Sequence, residues 1–273
     1  MPISLLRCAL FAALISSPLP LFADAGIEQQ IQRLDEKISS SPQDQNLYIQ
    51  RSLAHFNNNQ PSLALADIKT AESVDNPVNA AFVHGILLYR SAEFEKAKGY
   101  FDLYLAAFPR HPASLQYRAR VLRDSGDYTA ALLDYELLFS IRSRSDPGNY
   151  LAAAQMMAAL PERGTDDALT LLDDRMKVTG VLSSLQRYAI KLEIDRQHYE
   201  AAIQRLGTLD QKLRATPQWQ LEVAELYLLA GKPEQALPHL ELAAGQINML
   251  RPSTMQRELQ QRQKSLMSRA TTQ

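Results

Sequence analysis

A single cysteine, ten glycines and one tryptophan are spread over 273 residues, and each shortage removes a class of protein. Ten glycines are about half the usual share, too few for the repeated tight turns of β-sandwiches and barrels. No sign of charge prevails: 29 basic against 30 acidic residues leave a net charge of −1. That field is too weak to hold nucleic acid at physiological salt. No apolar run reaches the roughly 20 residues that a membrane-spanning helix requires. The lone cysteine, Cys8, sits near the amino terminus, so the remainder has neither disulfide nor thiol chemistry. Alanine and leucine are what the chain has in quantity. With 46% apolar and 22% charged residues it has the composition of a folded, helical protein rather than a disordered one.

The first residues look like an address. Arg7 precedes an apolar run from Cys8 to Ile15, Ser16, Ser17, Pro18 and Pro20 break it, and Ala23-Asp24-Ala25 follows. A short positive region, a short apolar stretch and an A-x-A site predict a secretory signal peptide over 1–25, cleaved after Ala25. Cys8 follows Arg7 and precedes the apolar run instead of ending it, which argues against a lipoprotein. No Asn-x-Ser/Thr site occurs, so a bacterial periplasm is the expected location, with secretion as the alternative. The mature chain is expected to carry no integral membrane segment, although association with a membrane complex is compatible with it.

A period near 34 residues runs through the rest. Aligned on Ala64, Ala97, Ala131, Ala168, Ala202 and Ala236, the segments recur at spacings of 33, 34, 37, 34 and 34. Four residues after each alanine stands a bulky group: Ile68, Phe101, Tyr135, Leu172, Leu206 or Leu240. Twelve residues before it stand Ser52, Gly85, Ala119, Met156, Ile190 and Ala224. Turn signals separate two helical patterns in each unit, as at Asn57-Asn58-Asn59, Ser125-Gly126-Asp127 and Gly231-Lys232-Pro233. Each unit therefore reads as two antiparallel helices whose small residues allow close approach. A pair of this kind covers its apolar face only by stacking on neighbours. Unit boundaries fall at 45–77, 78–111, 112–148, 149–182, 183–216 and 217–248. Ile27, Ile31, Leu34 and Ile38 predict an N-terminal capping helix within 26–44. Met255, Leu259 and Leu266, with Ser253 and Gln256 spaced as a capping box, predict a C-terminal capping helix within 249–273.

These segments resemble the tetratricopeptide repeat family, most closely in Gly126-Asp127-Tyr128-Thr129-Ala130-Ala131-Leu132-Leu133-Asp134-Tyr135 and from Ala224 to Leu237. Ala64-Leu65-Ala66-Asp67-Ile68 and Phe94-Glu95-Lys96-Ala97 are similar too, and the likeness covers about residues 45–248. The resemblance implies an all-α fold: a right-handed α-α superhelical solenoid of about six helix pairs with a capping helix at each end. The fourth unit departs most. Arg175 stands where a small or apolar residue is expected, and the longest interval leads into it, which predicts a change of pitch or a joint there.

Catalytic signatures are missing. No G-x-S-x-G, H-E-x-x-H, G-x-G-x-x-G or Walker sequence occurs. His55, His84, His111, His198 and His239 lie in different segments, none three or four residues from another, so no metal site or cofactor is expected. The acidic group Asp166, Asp167, Asp173 and Asp174 is explained by helix capping at Thr165 and by pairing of Asp173 with Lys177.

In the resembled family the first helix of each unit lines a concave groove. The columns this implies hold Ile49, Leu53, Phe56, Phe82, Ile86 and Tyr89 in the first two units, then Gln116, Arg120, Arg123, Arg187 and Lys191 in the third and fifth. Such a groove would be apolar toward the N-terminus and basic near its middle, suited to a helix or peptide bearing carboxylates. Asp124 and Asp195 are available as counter-charges. The carboxylate clamp of chaperone-binding relatives is not implied, because Ile49 and Leu53 occupy its columns. The expected function is a non-catalytic periplasmic scaffold that binds a protein or peptide in an envelope assembly or secretion complex. An accessory subunit of an envelope polysaccharide or lipid pathway is the alternative, and a hydrolase ranks last.

Overall fold

The computed structural model describes residues 25–142 and 144–272. The expected signal peptide lies outside the described residues except for Ala25. Fifteen helices and no strand occur among the described residues. In chain order they are α1 (Ala25–Ser40), then α2 (Gln45–Asn57) and α3 (Pro61–Val74), α4 (Pro77–Arg90) and α5 (Phe94–Ala107), and α6 (Pro112–Asp124) and α7 (Tyr128–Ile141). There follow α8 (Pro147–Ala159) and α9 (Gly164–Thr179), then α10 (Ser183–Asp195) and α11 (Tyr199–Gly207) with the short α12 (Gln211–Arg214). The last are α13 (Pro217–Leu229), α14 (Pro233–Asn248) and α15 (Thr254–Thr272). Proline opens six of these helices, where its missing N–H has no intrahelical partner.

Two compact units divide the chain at residues 87 and 88, inside α4. In the first, Leu34 and Ile38 of α1 meet Leu47, Tyr48 and Ala54 of α2, Ala64, Ile68 and Ala71 of α3, and Ala80, Val83 and Leu87 of α4. The second holds a larger core from Leu105 to Leu192 that includes Tyr135 and Leu172, and two further clusters built on Leu206 and Leu240. The fourth repeat, expected as a joint, lies inside this second unit. Its Arg175 is buried: the guanidinium lies 4.9 Å from the Tyr150 ring centroid and donates to the Ser145 carbonyl at 3.2 Å. The apolar stem and flat head of arginine thus fill a place where a small or apolar residue was expected.

The repeat columns are the core. All six aligned alanines and the six bulky groups four residues on are buried, as are the residues twelve before. Ser52 donates its hydroxyl to the Ala64 carbonyl at 2.8 Å, a contact only small residues permit. The turn between paired helices is also periodic. Asn59 (φ 57°), Ala92 (φ 59°), Gly126 (φ 86°), Gln197 (φ 63°) and Gly231 (φ 71°) each occupy the left-handed region five residues before the aligned alanine. The fourth unit places Gly164 (φ 77°) one residue later, after a turn of four residues, 160–163, where the others have three.

Four local expectations are corrected. Thr165 does not cap α9, which begins at Gly164 without a side-chain cap. Asp173 pairs with Arg205 of α11 at 2.7 Å, and Lys177 takes Asp174 at 2.8 Å instead. At the C-terminus Ser253 accepts from the Gln256 amide at 3.1 Å, yet the Gln256 side chain turns to the Ile247 carbonyl. Leu259 and Leu266 are buried as expected, but Met255 is 59% exposed.

Candidate functional site

In the first compact unit, Ile49, Leu53 and Phe56 form one face of α2, while Phe82 and Ile86 lie on α4. All five are half-buried, and Ile49, Leu53, Phe56 and Phe82 pack against the core. They are the shoulder of a core as much as a surface.

In the second unit, Tyr89 and Arg123 converge on one carboxylate. Asp124 accepts from the Tyr89 hydroxyl at 2.8 Å and from Arg123 Nε at 2.8 Å. Tyr89 meets the ring of Tyr117 edge-on at 6.1 Å, and Arg120 lies over that same ring at 5.6 Å. Burial, then the bond to Asp124, pushes the Tyr89 phenol up to about 12, so the hydroxyl stays a donor at neutral pH. Gln116 stands apart and donates to Asn149 of α8 at 3.1 Å.

Arg187 and Lys191 meet in a hollow of about 410 Å³ between α10 and α13. Ile190, Ile194, Leu206, Leu226 and Leu229 make its apolar floor, and Glu222, Glu225 and Arg262 complete the rim. The rim charges are tied to one another: Arg187 to Glu222 at 2.5 Å and Arg262 to Glu225 at 2.6 Å. Lys191 is paired with Asp195 on its own helix. The cations expected to make a basic groove therefore largely find counter-charges within the chain.

Sequence reasoning picked two members of this hollow and missed the others. The missing signal was the period itself: Glu225 stands where Lys191 stands, one repeat later, and Glu222 lies one place past the counterpart of Arg187. Among the described residues no three His, Cys, Asp or Glu side chains gather as a metal-holding group. The histidines are engaged singly, as His84 is with Glu72 at 2.6 Å and His239 with Gln220 at 2.7 Å. No described helix is long and apolar enough to cross a membrane.

No family profile matches the chain, and no curated protein matches it. Solved structures do. The C-terminal part of a TPR repeat-containing protein from Cytophaga hutchinsonii is similar over 86% of this chain and 94% of that one, with a TM-score of 0.67 and 11% identity. A tetratricopeptide repeat protein from Parabacteroides merdae is similar over 90% and 92%, with a TM-score of 0.52 and 14% identity. The structure of Naa15/Naa10 bound to HypK-THB is similar over 89% of this chain and 36% of that one, at a TM-score of 0.54 and 16% identity. At these identities the likeness is one of fold, and the fold is that of tetratricopeptide repeat proteins.

Proposed function

We propose that this chain is a non-catalytic scaffold that binds a protein or peptide on its first-helix face. It works in the bacterial periplasm, as part of an envelope assembly or secretion complex. The observation that carries the reading is the hollow between α10 and α13, where an apolar floor is open to solvent beneath a charged rim. A concave apolar surface with a few fixed polar groups is the usual form of a binding site. The hollow lies within the second compact unit, whose stacked helix pairs support it, and the fold itself supplies no reaction. One structure of similar fold is that of Naa15/Naa10 bound to HypK-THB. The pattern of residues 1–25 supports export.

The test is affinity capture from envelope extract, with the full coding sequence expressed under a C-terminal tag. The same bait carrying Arg120→Glu and Lys191→Glu is run beside it. The expected result is a protein retained by the wild type and lost, or strongly reduced, with the variant. Retention of nothing above background would overturn the scaffold reading. An amino terminus still at Met1 on the purified protein would overturn export.

A further inference from the structure

The hollow between α10 and α13 is a trough with two matched walls. Arg187, Ile190, Lys191 and Ile194 lie on one face of α10, and Glu222, Glu225, Leu226 and Leu229 on one face of α13. Both sets follow i, i+3, i+4, i+7 spacing, so each wall is about 10 Å long. The Arg187–Glu222 pair closes one end, and Ile194 with Leu229, the latter 44% exposed, leaves the other end apolar and open.

We propose that this trough receives the apolar face of an α-helix of a partner protein, with acidic residues on the flanks of that helix. The inference rests on the scaffold reading and adds the chemistry of the partner. Its first support is the walls. They are helices, whose backbone groups are bonded within themselves, and their rim charges already bond one another. An extended peptide would bury amides and carbonyls with nothing to meet them, whereas a helix arrives with its backbone satisfied. A length of about 10 Å admits apolar anchors at i and i+4 of the incoming helix.

The second support is charge. Three cations and two carboxylates line the trough. The carboxylates Glu222 and Glu225 sit on the central helix α13, while the cations lie outside them on α10 and α15. Lys191 is the most exposed of the five, its side chain 63% accessible against 31% for Glu222 and 38% for Glu225. Its partner Asp195 does not line the trough, so an acidic flank approaching from the open side meets Lys191 before any carboxylate on the lining. Complementary rim charge of this kind selects partners more than it adds affinity.

The experiment uses three synthetic peptides of about 16 residues, long enough for a helix stabilised on binding. They share leucines at i, i+3, i+4 and i+7 and differ only in Glu, Gln or Lys flanks. Each carries a fluorophore and is titrated against the full chain by anisotropy at low salt. The Glu-flanked peptide is expected to bind about fivefold more tightly than the Lys-flanked one. Lys191→Glu should abolish or invert that order. Leu229→Glu should weaken all three about tenfold or more by placing a charge on the apolar floor, while Leu133→Glu, at an exposed site on α7 away from the trough, should change nothing. Thermal melts of each variant at the wild-type midpoint establish that the fold is kept. Absence of binding by all three peptides, affinity indifferent to Leu229→Glu, or a preference for the Lys flank would each overturn the proposal. If extract capture persists with Leu229→Glu while no peptide binds, the trough proposal fails and the scaffold reading stands. If capture and peptides both fail, both fall.

Discussion

Arg118 of α6 grips Asp134 of α7 at two points, Nε to Oδ2 at 2.8 Å and Nη2 to Oδ1 at 2.6 Å, and reaches Asp102 of α5 with Nη1 at 2.7 Å. The same arrangement occurs two repeats earlier, where Arg51 bonds Asp67 twice and Asp35 once. In both copies the bond to the buried carboxylate is the first cause that raises the arginine above its ordinary value. Asp35 lies on α1, so α1 takes toward α2 and α3 the place that α5 takes toward α6 and α7.

The two acids in each triad should therefore be worth different amounts. Asp134 is 6% exposed, and Arg118→Met would leave it buried without its cation. A loss of about 2–3 kcal/mol is expected in urea unfolding. Asp102 is 40% exposed, so Asp102→Asn should lose less than about 1 kcal/mol. Equal losses for the two variants would show that the two-point bond is not what holds α6 to α7.

The left-handed turn residues make a second set of expectations. Gly126 meets nothing within 4 Å where a Cβ would stand, so Gly126→Ala costs only the backbone conformation, about 1 kcal/mol. Ala92 and Gln197 already bear that strain at φ 59° and 63°. Ala92→Gly and Gln197→Gly should each stabilise the chain by about 0.5 kcal/mol, the relief of strain being partly offset by the freer unfolded glycine. A fall in stability for both glycine variants would mean that these turns are not strained.

Much of this was legible because it recurs. The alanine column, the bulky group four residues on and the small residue before them are periodic, and periodicity reads directly as helix pairs with a buried seam. The Asp173–Lys177 expectation failed for the opposite reason. A local i,i+4 rule looked within one helix, while stacking brings Arg205 of the following repeat to Asp173 at 2.7 and 2.8 Å. The same one-repeat step links Arg187 to Glu222. Asn59, Ala92 and Gln197 share a backbone conformation without sharing a residue type, so composition alone conceals the turn that geometry repeats.

Acid should loosen the C-terminal repeats through His239. The ring stacks on Tyr227 at 5.7 Å, faces Trp219 edge-on at 6.0 Å and bonds Gln220. Burial holds it below the ordinary histidine value, which is about 6.5. A folded value below the unfolded one means that its stabilisation is full above about 6.5 and drains as pH falls through the folded value. The melting temperature should be lower at pH 5 than at pH 7.5, and His239→Gln should narrow that gap. An identical gap in the variant would remove His239 from the explanation and leave His111, which burial also lowers, as the group to test.

The repeat register itself can be put at risk with two substitutions. Ala131 and Ala202 are fully buried, with Tyr135 and Leu206 one turn further along the same helices. A leucine at either site must push the paired helices apart, at a cost of about 1–3 kcal/mol. Leu133→Ala, by contrast, changes a side chain that is 61% exposed on the same helix as Ala131 and should stay within about 0.5 kcal/mol. Each kilocalorie lowers the melting temperature of a domain of this size by about 2–4 °C, so the two classes separate in one thermal scan. Ala202 is the harsher test, because α11 runs only from Tyr199 to Gly207 and has little length over which to absorb the displacement. If Ala202→Leu melts with the wild type, the close approach of α10 and α11 at the aligned alanine is wrong. The trough that depends on Leu206, one turn away on the same helix, would then need a different floor.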